Sequence, residues 1–392
     1  GTAAIRAERE MGNEMGGVLH LIDQFRTGGP GKTVINTARF SGNAEYRVHV
    51  AAFVPKDMDH SEFSKEVVDQ GIPLLKLEDG RGISYKNMRI LAEYIVNHDI
   101  SVLHSHAYKA DFHCLALKPF TRKILLVTTH HGWITNTFRQ KKFANLDLML
   151  SGHFDGVITV SEKLLQSIPR KTSNNMRKMV IHNALVLEDY APQGMRHEIR
   201  NSYGFGESDI VIGVVGRMSK EKGPLEMIEA FNFARRKGGA GRLLFIGEGP
   251  MSNPVRKRIK ELALEGEVIL AGYQNPVQPF YEAMDILVSP SYTEGLSNVI
   301  LEALAYKLPV IATHVGGNSE IITNGVDGIL VENNSAPVLG EALSLLLSDV
   351  QIRRQYGERG YETVRNRFEF RNRVAKEQAF YDAIMRQKAG VT

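Results

Sequence analysis

The sequence predicts an α/β protein built as two Rossmann-like β/α/β domains facing each other across a cleft. Three observations carry this. The chain has 392 residues, more than one hydrophobic core serves, because cores stop growing near ~250–300 residues. Short apolar runs rich in β-branched residues alternate with amphipathic stretches, the pattern of parallel strands buried on both faces and joined by helices. That alternation lapses once, near the middle of the chain, and then resumes.

Residues 1–16 are polar, of mixed charge, and lack the apolar run of a secretory signal; they open with Gly rather than Met, which leaves their origin open, a cleaved tag being one source, and they stay outside the fold argument. VLHLIDQF (18–25) is the first strand. It runs into a glycine-rich turn, Arg26-Thr27-Gly28-Gly29-Pro30-Gly31-Lys32, and then a helix with Val34, Ile35 and Ala38 on one face. YRVHVAAFV (46–54) is a strand, and SEFSKEVVDQ (61–70) a helix opened by a serine cap. IPLLKLE (72–78), SVLHSH (101–106), ILLVTTHH (124–131) and GVITVS (156–161) are further strands, with helical stretches at 85–98, 109–119 and 137–151. KMVIHNA (178–184) closes the first alternation, so the first domain is expected over 17–184.

Residues 185–208 are polar, contain Gly and Pro and hold no sustained period. They read as a linker with a short helix at 195–203. The alternation restarts with DIVIGVVG (209–216), RLLFIGEG (242–249), VILAGY (268–273), ILVSPS (286–291), PVIAT (309–313) and GILVE (328–332), which places the second domain over 209–370. From 335 onward the chain reads as helix.

Composition narrows the function. A hydrophobic share of 43% and a charged share of 23% describe a soluble globular protein. The net charge of +4 is mild for this length. It fits a solvated surface rather than the concentrated basic face that binds nucleic acid. Cys114 is the single cysteine, so no intrachain disulfide and no Cys-based zinc site can form, which fits a reducing cytoplasm. No apolar run approaches the ~20 residues of a membrane span.

Ligands of parallel sheets bind outside the strand C-termini, near helix N-termini. The residues there carry the functional signal. After strand 209–216 come Arg217 and Lys222, two cations five apart across a turn that can neutralise a diphosphate; the bland reading is a solvated turn. Gly247-Glu248-Gly249-Pro250 begins like a dinucleotide fingerprint, but Ser252 holds the third glycine position, so a tight strand-to-helix turn is the plain reading. The richest stretch is Ser289–Glu320. Glu294 and Gly295 follow a strand, Ser297 or Asn298 can cap the helix VILEALAYK, and the free amides at its start suit a phosphate. Glu302 lies deeper and can take two ribose hydroxyls. Gly316-Gly317 lets backbone approach a ligand closely.

The first half adds Gly28-Gly29-Pro30-Gly31-Lys32-Thr33. It is not a P-loop, because the first glycine of that motif would fall on Arg26. It can present amides to a phosphate. His104, His106, His130 and His131 end two strands. Strand alternation is expected to send the members of each pair to different faces or directions, with one core histidine per strand. A metal site is conceivable, but no acidic partner recurs at ligand spacing. His131, just before Gly132, is expected to face the cleft and touch substrate, with His106 a second candidate.

Taken in order, G-R-x-x-x-x-K-G (216–223), G-E-G-P (247–250), E-G-x-x-x-x-x-x-E (294–302) and V-G-G-x-x-E (315–320) on two Rossmann-like halves resemble the retaining GT-B glycosyltransferases of family 4. The first half matches more loosely, through Gly28-Gly29, the H-x-H ending at His106, and Thr129-x-His131-Gly132.

The resemblance implies transfer of a hexose or related sugar from a nucleotide donor, UDP-linked, to a glycan or lipid-linked acceptor in envelope or exopolysaccharide synthesis, with neither metal nor cofactor. It implies that Arg217 and Lys222 hold the diphosphate, and that Glu294 takes sugar hydroxyls with help from amides of Gly295, Leu296 and Ser297. Glu302 would bind the ribose. Gly28, Gly29, Gly216, Gly247 and Gly249 would approach the donor, Tyr273 would lie near the base, and His131 and His106 would meet the acceptor side. Glu294-Gly295-Leu296-Ser297 lacks the aromatic residue that many relatives carry after the first Glu, which leaves the sugar open. The last helix, 371–392, is expected to cross back onto the first domain, with Val374, Phe380, Tyr381 and Ile384 near helical spacing. Basic segments with interleaved Phe138 and Phe143 between 118 and 178 suit a peripheral contact with anionic lipid at the inner membrane face. Three alternatives from other classes stay open: a nucleotide-sugar epimerase, a phosphorylase using pyridoxal phosphate, and a noncatalytic nucleotide-sugar binder.

Overall fold

The structure, a computed structural model, describes residues 16–41, 46–80, 82–120, 124–132, 138–169 and 176–390. The chain forms two units. One takes it up to His182 and again from Arg371; the other spans Asn183–Phe370.

The described part of the first unit holds a parallel sheet of seven strands: β1 (Gly17–Ile22), β2 (Val48–Val54), β3 (Leu74–Glu78), β4 (Ile100–His106), β5 (Leu125–His130), β6 (Gly156–Thr159) and β7 (Arg177–Val180). Their spatial order is β3-β2-β1-β4-β5-β6-β7. Every residue of β1, β2 and β5 is buried, which is why their sequences run apolar rather than alternating. Strand order reverses between β1 and β4, the position where open α/β sheets leave a ligand crevice.

The last helix, Phe370–Lys388, packs onto this sheet. Phe380, Tyr381 and Ile384 share one buried cluster with Val18, Val102 and Leu125. Gly156 makes room for it: a Cβ there would come within 2.5 Å of Ile384 Cδ1. Burial of each such side chain contributes ~1.5–3 kcal/mol, so the helix is a full member of the first unit although it comes last in sequence.

The second unit holds β8 (Val211–Val215), β9 (Arg242–Ile246), β10 (Val268–Leu270), β11 (Ile286–Ser289), β12 (Val310–Thr313) and β13 (Ile329–Val331), all parallel, in the order β10-β9-β8-β11-β12-β13. Helices Pro224–Arg236 and Ala336–Ser348 bury Ile228, Phe231, Leu343 and Leu346 in a common core with the strands. Here the order reverses between β8 and β11.

The segment 185–208, read from sequence as a linker, belongs to the second unit instead. Its helix Arg196–Ser202 carries Arg200, only 2% exposed. That guanidinium donates to the Ala283 carbonyl (3.1 Å), the Gly206 carbonyl (2.9 Å) and Asp285 Oδ2 (2.5 Å). Arg196 donates to Asp285 Oδ1 at 2.6 Å. Leu185, Val186, Tyr190 and Phe205 are buried as well, but at irregular spacing, so hydrophobic periodicity could not detect how the segment is fastened.

Candidate functional site

In the second unit the reversal point between β8 and β11 gathers the charged residues. Gly216 and Arg217 leave β8, and Lys222 ends the short turn Lys220–Lys222. Ser291 and Glu294 leave β11, and Ser297 precedes the helix Asn298–Ala305. These six residues line one recess. Lys222 Nζ donates to Glu294 Oε1 at 2.7 Å, and Ser291 Oγ donates to the same oxygen at 2.7 Å. Glu294 is 10% exposed and Lys222 32%, so the pair is desolvated on the carboxylate side and open on the ammonium side. Among the described residues Glu294 Oε2 takes no hydrogen bond, and an ammonium has three donors. The pair can therefore grip a hydroxyl at one end and a phosphate oxygen at the other.

Two glycines hold the loops in this position. Gly223 has φ +64°, and a Cβ there would sit 2.1 Å from the Pro290 carbonyl oxygen; Gly316 has φ +55°, and a Cβ would sit 1.9 Å from the Glu294 carbonyl oxygen. Both combine a left-handed conformation with backbone contact that no side chain allows. The Gly316 contact sets where the backbone of Glu294 lies.

The remaining donor-side residues divide. Gly295, Leu296 and Ser297 are buried at the start of the helix, and the Leu296 carbonyl accepts from Asn183 Nδ2 at 2.9 Å. Ser297 occupies the N-cap position, yet its hydroxyl makes no cap bond, contrary to the capping role expected of it or Asn298. The chain turns sharply into extended backbone at this point, which leaves the first helical amides to other partners. Gly247 and Gly249 follow β9 in the turn beside Gly216–Met218: the Gly247 amide donates to the Gly272 carbonyl at 2.7 Å, and the Met218 amide to the Glu248 carbonyl at 3.0 Å. Tyr273 is an exposed aromatic after β10.

Glu302 does not line the recess. It is 4% exposed, and it accepts from Tyr190 OH at 3.0 Å through Oε1 and from Tyr281 OH at 2.7 Å through Oε2. Burial and then the neighbouring Glu302 carboxylate push both phenols well above their ordinary pKa. Sequence spacing placed Glu302 about one turn into the helix but could not reveal these two tyrosines. Tyr190 lies in the segment read as a linker. Ser291 was also missed; its position at a strand end, three residues before Glu294, was the available signal.

In the first unit, Gly28 is the N-cap of the helix Gly29–Phe40, with its φ at −98°, and both glycines are partly exposed just beyond β1. His106 ends β4 and is buried, whereas His131 follows β5 and is half-buried. His104 and His106 are not sent to different faces. They lie on one face with rings 4.5 Å apart and nearly parallel, because residues two apart in a strand share a face. Only His130 and His131, adjacent in sequence, diverge. His20 of β1 joins the same face beside His104, its register partner. His20 Nδ1 lies 2.9 Å from His106 Nε2, and His106 Nδ1 lies 3.0 Å from His131 Nε2. Burial lowers all four: His20 to about 4, His131 to about 3, and His104 and His106 well below their ordinary value.

Among the described residues, two groups have ligand atoms close enough together to hold a metal. In His20–His104–His106 the ligand atoms lie within 4.8 Å of one another, but both ring nitrogens of His104 and of His106 are already hydrogen-bonded. The other group is Asp111, His130 and Asp147. There burial, then the Asp147 charge, raises the Asp111 carboxyl well above the usual range, and His130 Nε2 meets Ser151 Oγ at 2.7 Å.

Of the basic-aromatic stretch, Phe143 stacks on Tyr108 with ring centres 5.4 Å apart. Residues 121–123 and 170–175, which carry part of its charge, lie outside the described residues. No described helix is long and apolar enough to cross a membrane.

The chain is similar to known glycosyltransferases along both of its units. Residues 195–363 match the family described as Glycosyl transferases group 1, and residues 27–189 match Glycosyltransferase Family 4. N-acetyl-alpha-D-glucosaminyl L-malate synthase of Bacillus anthracis is 28% identical over 304 residues, covering 76% of this chain and 79% of the relative. The UDP-Gal:alpha-D-GlcNAc-diphosphoundecaprenol alpha-1,3-galactosyltransferase of Escherichia coli is 29% identical over 178 residues, 44% of this chain and 46% of the relative. The solved structure of Anabaena Alr3699/HepE in complex with UDP and glucose matches with a TM-score of 0.81 at 18% identity, over 94% of this chain and 100% of that one. At that identity the likeness establishes the fold.

Proposed function

This chain belongs to the family 4 glycosyltransferases of the GT-B fold, and on that premise we propose that it is a retaining, metal-independent enzyme. It moves a hexose or related sugar from a UDP-linked donor to a glycan or lipid-linked acceptor in envelope or exopolysaccharide synthesis. Glycosyl transfer follows from the family. The UDP donor draws support from the UDP complex of the fold neighbour and the UDP-galactose donor named for the Escherichia coli relative. Envelope synthesis draws support from relatives such as the Staphylococcus aureus capsular polysaccharide glycosyltransferase CapM, 31% identical over 183 residues, 46% of this chain and 48% of that relative.

The observation that carries the reading is the convergence of Arg217, Lys222 and Glu294 at the reversal point of the second sheet. In the reaction the bond between the anomeric carbon and the diphosphate oxygen breaks, and the acceptor hydroxyl oxygen bonds to that carbon. The hydroxyl proton leaves to the departing phosphate. Charge thus builds on the leaving diphosphate, where the Lys222 ammonium and Arg217 guanidinium stabilise it more in the transition state than in the ground state. Glu294 Oε2 accepts a hydroxyl of the transferred sugar, with its other oxygen anchored by Lys222 and Ser291. Glu294 acts as a hydroxyl acceptor, not as the acid or base of a glycosidase.

Calorimetry against UDP-, GDP- and ADP-sugars identifies the donor, and Lys222→Ala then tests the site. Loss of that ammonium should lower kcat/KM by ~10²–10³-fold with little loss of stability, because Lys222 is partly exposed. Unchanged turnover refutes the diphosphate assignment. Turnover lost in EDTA and restored by a divalent metal refutes metal independence. Release of an epimerised sugar without an acceptor points to the epimerase reading instead.

A further inference from the structure

The first unit holds a hydrogen-bonded series of buried side chains that donor binding does not use. It starts on the last helix. Arg373 Nη1 donates to Glu377 Oε2 at 2.6 Å, and Tyr381 OH donates to Glu377 Oε1 at 2.8 Å. Two branches lead from Glu377 into the sheet. In the first, the single Tyr381 proton is spent on Glu377, so the phenol oxygen accepts from His104 Nδ1–H at 2.6 Å. His104 Nε2 is then bare and accepts from Thr129 Oγ1 at 2.7 Å. His104 is therefore locked as the Nδ1–H tautomer.

In the second branch, His20 Nε2 faces Glu377 Oε1 at 3.9 Å. The series continues from His20 Nδ1 to His106 Nε2 and from His106 Nδ1 to His131 Nε2. Neither end has a hydrogen-bond partner among the described residues: His20 Nε2 and His131 Nδ1 are both unpaired. Each contact between two ring nitrogens needs one proton, so three neutral imidazoles in series have two arrangements. Either every proton is displaced toward His131, or every proton is displaced toward Glu377. The first turns a lone pair of His20 onto the carboxylate and is repelled. The second turns His20 Nε2–H onto the carboxylate and is attracted, and it leaves His131 Nδ1 bare. Neutrality of the series follows from its burial. Glu377 stays ionised, at about 2, because the Arg373 guanidinium and the Tyr381 hydroxyl bonded to it outweigh the effect of its own burial.

We propose that Glu377, acting through His20 and His106, fixes His131 as the tautomer with a bare Nδ1, so that His131 accepts a hydrogen bond from a substrate hydroxyl during transfer. A carboxylate that sets an imidazole tautomer is a known positioning device; here two further imidazoles carry its influence. The proposal rests on the transferase reading above and on the expectation from sequence that His131 touches substrate. Glu377, His20 and His106 are positioning residues.

The test uses the full chain labelled with ¹⁵N-histidine. Two-bond ¹H–¹⁵N spectra report which ring nitrogens are bare, and His131→Gln assigns the His131 signals. The expected result is a bare Nδ1 on His131 and a protonated Nδ1 on His104. His20→Phe cuts the series and should redistribute the His131 proton. It should lower kcat ~10²-fold while leaving UDP affinity within about twofold. His20→Gln supplies one donor and one acceptor in the same place and should restore most of kcat. A protonated His131 Nδ1 in the unaltered protein overturns the proposal, as does a folded His20→Phe protein with unchanged tautomer and kcat. Because the spectra need no donor, these results stand apart from failure of the transferase reading, which shows as absence of UDP binding.

Discussion

Replacing Glu302 with Ala tests what the structure says this carboxylate does before any ligand arrives. Glu302 is nearly inaccessible, and Tyr190 and Tyr281, both buried, donate to its two oxygens. A hydrogen bond to a charged acceptor contributes ~1.5–3 kcal/mol, and a buried donor left without its partner costs a similar amount. Losing both anchors should therefore destabilise the second unit by about 3–6 kcal/mol. Tyr281→Phe and Tyr190→Phe each remove one bond and should cost ~1.5–3 kcal/mol. Urea unfolding followed by far-ultraviolet circular dichroism reads these shifts as changes in midpoint at constant slope. A Glu302→Ala shift below ~1 kcal/mol refutes the structural role. Glu302→Gln then isolates the ligand role, since it keeps the shape and at least one tyrosine contact. If the ribose hydroxyls bind this carboxylate, UDP affinity in the folded Gln variant should fall about tenfold, equivalent to ~1.4 kcal/mol. Unaltered UDP affinity by calorimetry removes Glu302 from the donor site and leaves it a pin that ties the helix Asn298–Ala305 to Tyr190 and Tyr281.

Arg200→Met should destabilise the second unit by ~2–4 kcal/mol, because it removes a buried charged partner of Asp285, which Arg196 still holds, and leaves the Ala283 and Gly206 carbonyls without their donor; a change under ~1 kcal/mol in urea unfolding would return 185–208 to the status of a linker. Gly316→Ala should cost ~1–2 kcal/mol from its left-handed backbone alone and displace Glu294, so kcat/KM should fall more than stability does; a fully active variant would show that the Gly316 contact does not set the Glu294 position. Acid should weaken the first unit early. His20, His104, His106 and His131 are all lowered by burial, so below pH ~6.5 the unfolded chain binds protons that the folded chain refuses until about 4 for His20 and about 3 for His131. Stability therefore falls as pH falls through this window, by at most ~1.4 kcal/mol per pH unit for each group and ~5 kcal/mol per unit for the four together. A urea midpoint that stays flat from pH 7 to pH 5 would contradict the buried, neutral assignment.

Much of the chain was legible from residues alone, and the exceptions share a cause. Buried parallel strands need apolar residues on both faces, so β1, β2 and β8 declare themselves as runs. Strand-end chemistry was legible too: Arg217, Lys222 and Glu294 stand directly after β8 and β11, and the sheet order brings those two strands together. What failed was anything held by polar contacts between distant parts of the chain. Residues 185–208 looked like a linker because the hydrogen bonds of Arg200 and Tyr190 leave no period and the buried Leu185, Val186 and Phe205 are irregularly spaced. Glu302 looked ready for a ligand because its spacing says nothing of Tyr190 and Tyr281.

The histidines mark the same boundary most sharply. By itself the sequence determined that His104, His106 and His131 end strands, because residue order alone decides where a β-branched run stops. Only tertiary structure decided that His20 lies beside them, that Glu377 arrives from the far end of the chain on a helix docked by Phe380 and Ile384, and that their ring nitrogens meet at hydrogen-bond distance. Periodicity reports which face a side chain takes within its own element. Which element covers that face is settled by packing, and packing set the protonation of a group 246 positions from the carboxylate that governs it.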